Sequence, residues 1–386
     1  MGELACPLVH VGLNLVYLVP GETGGMEVVA RELIPELAAL PGLRLTAFVN
    51  REAAVCDDGP WGQLIPMNVV PVHARNRAAW VWGEQTHLPR LASRAGCDVV
   101  HSLASTAPLR GRFLRVTTIH DLIYRLVPES HFGMLGRGMR VLIPAAARRS
   151  HRVIVDSAST REDLARHLRT PRSKIDVAPL GVSLPRGVVP TSAEELRRNL
   201  DLDTRPMVLS LSAKRPHKNL PRLLRTLSAL APDRRPSLVV PGYATPHEQE
   251  LRELAAALGI ADCVRFPGWL QAEDLEGLYA AAACVIFPSL HEGFGLPVLE
   301  AMARGVPVAC SDRSSLPEVA GDAALLFDPE DVEAIRAALE RLLGEPRLRA
   351  HLSKAGRERA AGFTWRRTAE LTAASYERAL ADRGIA

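Results

Sequence analysis

With 386 residues the chain exceeds what one hydrophobic core normally serves, and it fits two domains. It is 47% apolar and 23% charged, a soluble globular composition. No apolar run reaches the roughly 18 residues that a membrane-spanning helix needs. A net charge of +4 is too small to call for a nucleic-acid partner.

Six cysteines (Cys6, Cys56, Cys97, Cys263, Cys284 and Cys310) are scattered without close pairs, which argues against a zinc site or a disulfide framework. That usage suits a reducing cytosol. The first six residues lack the basic region and apolar core of a secretory leader, so a cytoplasmic protein is expected. The charge is unevenly divided. Residues 1–185 hold 21 basic and 16 acidic side chains, against 26 and 27 in the rest. Nine arginines fall between Arg110 and Arg152, opposed by Asp121 and Glu129 alone. A basic first domain of this kind suggests peripheral contact with an anionic inner membrane surface or an acidic acceptor. Arginine is also used for nearly every cation in the chain, and four lysines are the exceptions.

Taken in chain order, residues 8–15 read as a strand, followed by a loop carrying Gly21, Gly24 and Gly25. A helix over 26–40 follows, with Val29, Leu33, Leu37 and Leu40 at helical spacing. Strands are expected at 45–49, 98–101, 115–120 and 152–157, with Ser159 capping the helix after the last of them. Strands alternating with helices predict a doubly wound parallel sheet. Pro185, Gly187 and Pro190 mark a linker, and a second series begins. Its strands are expected at 207–211, 237–242, 264–266, 283–288 and 306–310, with helices at 220–230 and 248–258 and long helices from Pro329 onward. The last helix is expected over 366–382.

One stretch carries the chemistry. His291-Glu292-Gly293-Phe294-Gly295-Leu296-Pro297-Val298-Leu299-Glu300-Ala301 follows a strand and holds two carboxylates eight residues apart. Pro297 is expected to open a helix that stops at Gly305. A strand, a glycine loop and a helix N-terminus gather backbone N–H groups and positive dipole at one spot, which suits a phosphate or diphosphate. Glu292 falls where a sugar would lie, and Glu300 within reach of a ribose.

In open parallel sheets ligands bind off the carboxyl ends of strands, a rule that selects further positions. These are the Gly24-Gly25 loop, His120-Asp121 after one strand, and Ser212-Ala213-Lys214-Arg215-Pro216-His217-Lys218-Asn219 after another. The cations of the last stretch would neutralise a leaving diphosphate. His101 also ends a strand and is a secondary candidate. Trp61, Trp80 and Trp82 are expected to pack into a core rather than to stack on a sugar. Asp201-Leu202-Asp203 has an Asp-x-Asp spacing but lies away from any strand end, so it is read as a helix-end turn and no metal site is expected. The early glycines do not form Gly-x-Gly-x-x-Gly, which speaks against a hydride-transferring dinucleotide enzyme.

The paired glutamates, the strand-end phrase Thr118-Ile119-His120-Asp121-Leu122, the Lys218-Asn219 pair and the turn Val264-Arg265-Phe266-Pro267-Gly268-Trp269 occur in the order found in glycosyltransferase family four, and the chain resembles that family over most of its length. The resemblance implies an α/β chain of GT-B architecture, two Rossmann-like doubly wound parallel-sheet domains facing a cleft. The first, 1–184, would bind the acceptor. The second, 190–363, would bind the nucleotide sugar, and 364–386 would cross back to the first. It implies catalytic roles for His120, Glu292 and Lys218. Donor contacts would come from Gly24, Gly25, Ser212, Lys214, Arg215, Phe266, Gly268, Gly293, Phe294, Gly295, Leu296 and Glu300. One departure stands out. The family's arginine position holds Ala213, and Lys214 or Arg215 is expected to replace it.

The implied activity is retaining transfer of a hexosyl group, mannosyl or rhamnosyl before glucosyl, from a nucleotide-diphosphate sugar to a hydroxyl of a glycan, lipid-linked or small-molecule acceptor. No metal or other cofactor is expected, because protein cations fill that role. The alternatives are a nucleotide-sugar 2-epimerase on the same fold and a non-catalytic nucleotide-sugar-binding protein.

Overall fold

The computed structural model describes residues 8–130 and 133–384, with 133–137 described through their backbone alone. Cys6 and the rest of the first six residues considered above lie outside the described residues. The chain divides into two compact units, one formed by Met1–Arg125, His131–Gly181 and Thr364–Ala386, the other by Leu126–Ser130 and Val182–Phe363.

The first unit is built on seven parallel strands: β1 (Val9–Leu15), β2 (Leu43–Val49), β3 (Met67–Val69), β4 (Val99–Ser102), β5 (Leu114–Thr118), β6 (Arg152–Val155) and β7 (Ile175–Val177). Their order across the sheet is β3-β2-β1-β4-β5-β6-β7. The second unit has six: β8 (Met207–Leu209), β9 (Ser237–Pro241), β10 (Val264–Gly268), β11 (Ala282–Phe287), β12 (Val308–Ser311) and β13 (Ala324–Phe327), ordered β10-β9-β8-β11-β12-β13. Each sheet reverses its winding once, between β1 and β4 and between β8 and β11. At such a point the flanking loops diverge and leave a crevice at the carboxyl edge.

Central strands are apolar on both faces because helices cover both sides. In β1, Val11, Leu13 and Leu15 are fully buried, and so are Val285 and Ile286 in β11. The second unit's core joins Leu223, Leu227, Leu238, Leu251, Cys284 and Leu339.

The chain's final helix, Trp365–Ala381, belongs to the first unit. Thr368 Oγ1 donates to the Pro179 carbonyl at 2.7 Å, and Ser375 Oγ to Asp176 at 2.7 Å. The fully buried Tyr376 hydroxyl meets His101 Nδ1 at 2.7 Å. Gly181 allows the close approach, since a Cβ there would lie 2.2 Å from the Trp365 nitrogen.

The structure departs from the sequence expectations in several places. Leu126–Ser130, expected with the first domain, packs with the second unit, because the Ser130 hydroxyl accepts the His217 backbone N–H at 3.0 Å and lies 2.9 Å from its Nδ1. The helix Ala158–His167 is capped by Ser157, not Ser159. Its hydroxyl accepts the Thr160 N–H, so the helix starts two residues earlier than expected. After β13 the helix begins at Val332, capped by Asp331. Trp61 and Trp80 are buried, but Trp82 is 56% exposed. Asp203 pairs with Arg205 and accepts from the Ser237 hydroxyl, which makes the Asp-x-Asp stretch a structural turn.

Candidate active site

In the second unit, β11 runs into Pro288 and Ser289, then into the loop that holds Glu292. The helix that follows, Leu296–Ala303, takes Gly295 as N-cap with φ 111°, and Pro297 occupies its second position rather than its first. Only glycine fits at 295, since its φ is left-handed and a Cβ would lie 2.6 Å from Leu316. The helix's capping bonds begin with the Val298 N–H to the Gly295 carbonyl at 3.0 Å. The amides of Phe294, Gly295 and Leu296 therefore precede the intrahelical ladder, as the first donors of any helix do.

Three neighbouring segments fix this loop. Leu290 N–H donates to the His217 carbonyl at 2.8 Å. Glu292 N–H donates to Ser314 Oγ at 2.9 Å. Ser315 Oγ donates to the Glu292 and Phe294 carbonyls at 3.1 and 2.7 Å. Lys218 then reaches Glu292, Nζ to Oε1 at 2.7 Å, with 14% and 10% of the two side chains exposed. Asn219 sits beside it in the left-handed region, φ 57°, and its amide donates to the Pro288 and Pro329 carbonyls at 3.0 and 2.7 Å. The asparagine thus ties the lysine's turn to the loop after β11.

Glu300 lies one turn into the helix, and its Oε2 accepts from the buried Tyr279 hydroxyl at 3.2 Å. Burial lifts its carboxyl above the ordinary range, with Arg304 opposing the lift. Arg304 itself packs 4.5 Å from the Tyr279 ring centre and pairs with Glu276.

The remaining expected donor residues scatter around the carboxyl edge. Ser212 is buried, and its hydroxyl has no hydrogen-bond partner among the described residues. The same holds for Ser210 and Ser289. Lys214 is fully buried. Its amine donates to the Gly242 carbonyl and lies 3.7 Å from Glu248, and burial pulls its pKa down to about 8. It does not join Lys218. Arg215 is exposed and precedes the short turn Pro216–Lys218. Phe266 packs into the core, and Gly268, with φ 79°, accepts the Gly242 N–H at 2.7 Å.

In the first unit Gly24 caps the helix Gly25–Ala38 with φ 65° and ψ −136°, a conformation essentially reserved to glycine. The loop is tied down by Glu27, whose carboxylate accepts Gly21 N–H at 2.8 Å and Arg31 Nε at 2.8 Å. His120 follows β5. Its Nδ1 lies 2.7 Å from Asp156 Oδ2 and its Nε2 2.7 Å from the Leu103 carbonyl. Burial opposes its charge, but Asp156 wins and raises its pKa to about 9. His101 is different. It is buried between Tyr376 and Thr118, and burial pushes its pKa down to about 3, so it is a neutral core residue.

Two family models match the chain, Glycosyltransferase Family 4 over residues 23–186 and Glycosyl transferases group 1 over 192–359. O-antigen chain mannosyltransferase B of Escherichia coli is 32% identical over 267 residues, which span 68% of this chain and 70% of that protein. The chain is a family 4 glycosyltransferase. An MMP alpha-(1->4)-mannosyltransferase of Mycolicibacterium hassiacum is 33% identical over 240 residues, spanning 61% of this chain and 56% of that protein. Sucrose-phosphate synthase of Thermosynechococcus elongatus superposes with a TM-score of 0.77 at 21% identity, covering 97% of this chain and 100% of that one. Anabaena HepE in complex with UDP-glucose superposes with a TM-score of 0.74 at 18% identity, covering 96% and 99%. The glycosyltransferase therefore has GT-B architecture.

Reading the glycosyltransferase's sequence alone misses three features of its two carboxyl edges. Asp156 fell inside an expected strand end, and only the strand pairing shows that it meets His120. Ser314 and Ser315 hold the Glu292 loop from 22 and 23 residues away, with no local signal. Tyr243 and the 59%-exposed Trp269 stack with ring centres 4.4 Å apart beside Gly242 and Gly268. The trptophan is visible in the sequence, but its partner is not.

Proposed function

We propose that this glycosyltransferase moves a hexosyl group, mannosyl or rhamnosyl in preference to glucosyl, from a nucleotide-diphosphate sugar to a hydroxyl of a glycan, lipid-linked or small-molecule acceptor. The observation that carries this reading is the Lys218–Glu292 pair, 2.7 Å apart and three residues ahead of a helix N-cap. In the reading, Lys218 turns to the diphosphate together with the amides of Phe294, Gly295 and Leu296, and Glu292 takes the sugar hydroxyls. Glu300 holds the ribose. The orphaned hydroxyls of Ser210, Ser212 and Ser289 support a polar ligand at this edge, because buried hydroxyls without partners cost about 1–3 kcal/mol each. Bound complexes of Anabaena HepE with UDP and glucose agree with a nucleotide-sugar donor.

In the proposed step the bond from the anomeric carbon to the phosphate oxygen breaks, and its electron pair leaves with the diphosphate. The acceptor oxygen bonds to the same face of that carbon, and its proton passes to the departing phosphate oxygen, which retains configuration. Lys218 and the helix amides supply the positive field, so the reading is metal-independent. The test is a thermal-shift and transfer screen of GDP-, UDP-, dTDP- and ADP-sugars, run with and without EDTA. Stabilisation by one donor and release of free sugar support the reading. Conversion of the donor to its epimer would favour the 2-epimerase instead.

The arginine-rich first unit supports a second proposal, contact with an anionic membrane surface. Arg110, Arg112, Arg148, Arg149 and Arg383 are exposed and make no ion pair among the described residues. No described helix is long and apolar enough to cross a membrane. Sedimentation with vesicles of anionic lipid, but not with neutral ones, is the expected result.

A further inference from the structure

We propose that Asp156 is a positioning residue of the transferase: it fixes the His120 ring and keeps both its nitrogens protonated, so that His120 works as a fixed cation and not as a proton acceptor. The inference rests on the reading that His120 takes part in transfer.

Strand pairing sets up the contact. β5 and β6 pair in register with Thr118 opposite Ile154, so two residues further on His120 meets Asp156. Both follow their strands at the carboxyl edge. On the other side β4 pairs with β5, Ser102 opposite Thr117, which brings the Leu103 carbonyl to His120. A carbonyl can only accept, so at 2.7 Å the Nε2 must carry hydrogen. The Nδ1 then faces Asp156 Oδ2 at 2.7 Å. The Asp156 side chain is 3% exposed, and its other oxygen has no hydrogen-bond partner among the described residues. Burial pushes the Asp156 carboxyl up, and the His120 cation at its first oxygen is what opposes that rise.

The surroundings reinforce the cation. Asp121, next in sequence, adds a favourable charge, and the His120 cation in turn helps burial keep His101 of β4 neutral. From the helix after β6, the Thr160 hydroxyl donates to the His120 carbonyl at 3.4 Å. His120 is left 14% exposed, with both N–H bonds committed inside its own unit. A ring in that state has no lone pair for an acceptor hydroxyl. This agrees with a leaving phosphate oxygen that takes the proton itself.

The test uses Asp156→Asn, which keeps the shape but removes the charge, in the full chain with labelled histidine. The His120 signal is assigned by its loss in His120→Gln. In the wild type the ring stays doubly protonated to about pH 9, whereas in Asp156→Asn burial is left without its main opponent and the ring titrates below the ordinary histidine value of roughly 6.5. The kcat/KM of the variant then falls about tenfold as pH rises between 5 and 7, while the wild-type profile stays flat there. Asp156→Glu, which restores the charge, should recover the flat profile. A wild-type ring already neutral at pH 7, or an Asp156→Asn profile lowered equally at every pH, overturns the proposal. A shifted titration with unchanged kinetics instead overturns the part given to His120 in transfer. If Asp156→Asn fails to fold, the wild-type titration and Asp156→Glu still decide.

Discussion

The carboxyl edges of the two units use charge in opposite ways. In the C-terminal unit the amine of Lys218 and the carboxylate of Glu292 hold each other at 2.7 Å at the mouth of a helix, each slightly exposed. The amine's other neighbour is the buried Phe287 ring, 5.1 Å from its centre, and on the proposed reading a ligand that offers a phosphate to the amine and hydroxyls to the carboxylate takes the place of the ion pair. In the N-terminal unit His120 is locked by Asp156 and the Leu103 carbonyl. It gains nothing by exchanging partners. On the proposed reading one edge reassigns its charges on binding, and the other keeps a charge in place.

The most severe way to break the reassignable edge is Lys218→Ala. On the proposed reading it leaves Glu292 without its counter-charge and the diphosphate without its cation, so kcat should fall about 10²-fold or more. A near-normal rate measured under saturating donor would shift the role to the exposed Arg215. Glu300→Ala probes binding more than chemistry. Its loss of ribose contacts should raise the donor KM roughly tenfold and leave kcat close to wild type, worth about 1.4 kcal/mol. An unchanged KM would count against the ribose assignment.

Gly295→Ala strains the helix N-terminus itself. The left-handed φ of 111° and the 2.6 Å approach to Leu316 should cost about 1–3 kcal/mol of stability in denaturant unfolding, together with weaker nucleotide binding. The smallest expected effect concerns the fixed edge. Glu84 is buried, accepting from Asn14 Nδ2 at 2.8 Å and Thr106 Oγ1 at 2.9 Å, and burial pushes its pKa up to about 7. The folded state thus holds this proton more tightly than the unfolded one. The contribution is full below about pH 4.5 and is lost as pH rises through about 7. Glu84→Gln should flatten that fall in stability and gain on the order of 1–2 kcal/mol at pH 8. Thermal melts at pH 5 and pH 8 check it, and equal shifts at both would refute the account.

The architecture was legible because its signals are local and repeated. Apolar strands such as 283–288 alternate with helices whose glycines stop them, and Gly295-x-Pro297 marks a helix mouth by itself. The paired glutamates and Lys218-Asn219 were legible for the same reason, since each lies within one loop. What stayed hidden depends on pairing between distant segments. The Lys214 amine is adjacent in sequence to the basic loop, yet it runs inward to the Gly242 carbonyl, because the end of β9 lies under it. Asp156 meets His120 only through strand register. Ser130 joins the C-terminal unit through two contacts with His217, a partner 87 residues away. Trp82 sits in a helix whose buried face uses Trp80 and Leu88 instead, and spacing alone did not separate the two tryptophans.

On the proposed reading the helix mouth at Gly295, with Lys218 and Glu292, holds a sugar-nucleotide diphosphate. Calorimetric titration of a panel of nucleoside diphosphates and nucleotide sugars into the wild type, Lys218→Ala and Glu300→Ala tests it most directly. The expected result is binding to the wild type and a weakening of about tenfold or more in each variant. Equal affinity in all three proteins, or none in the wild type, would contradict it.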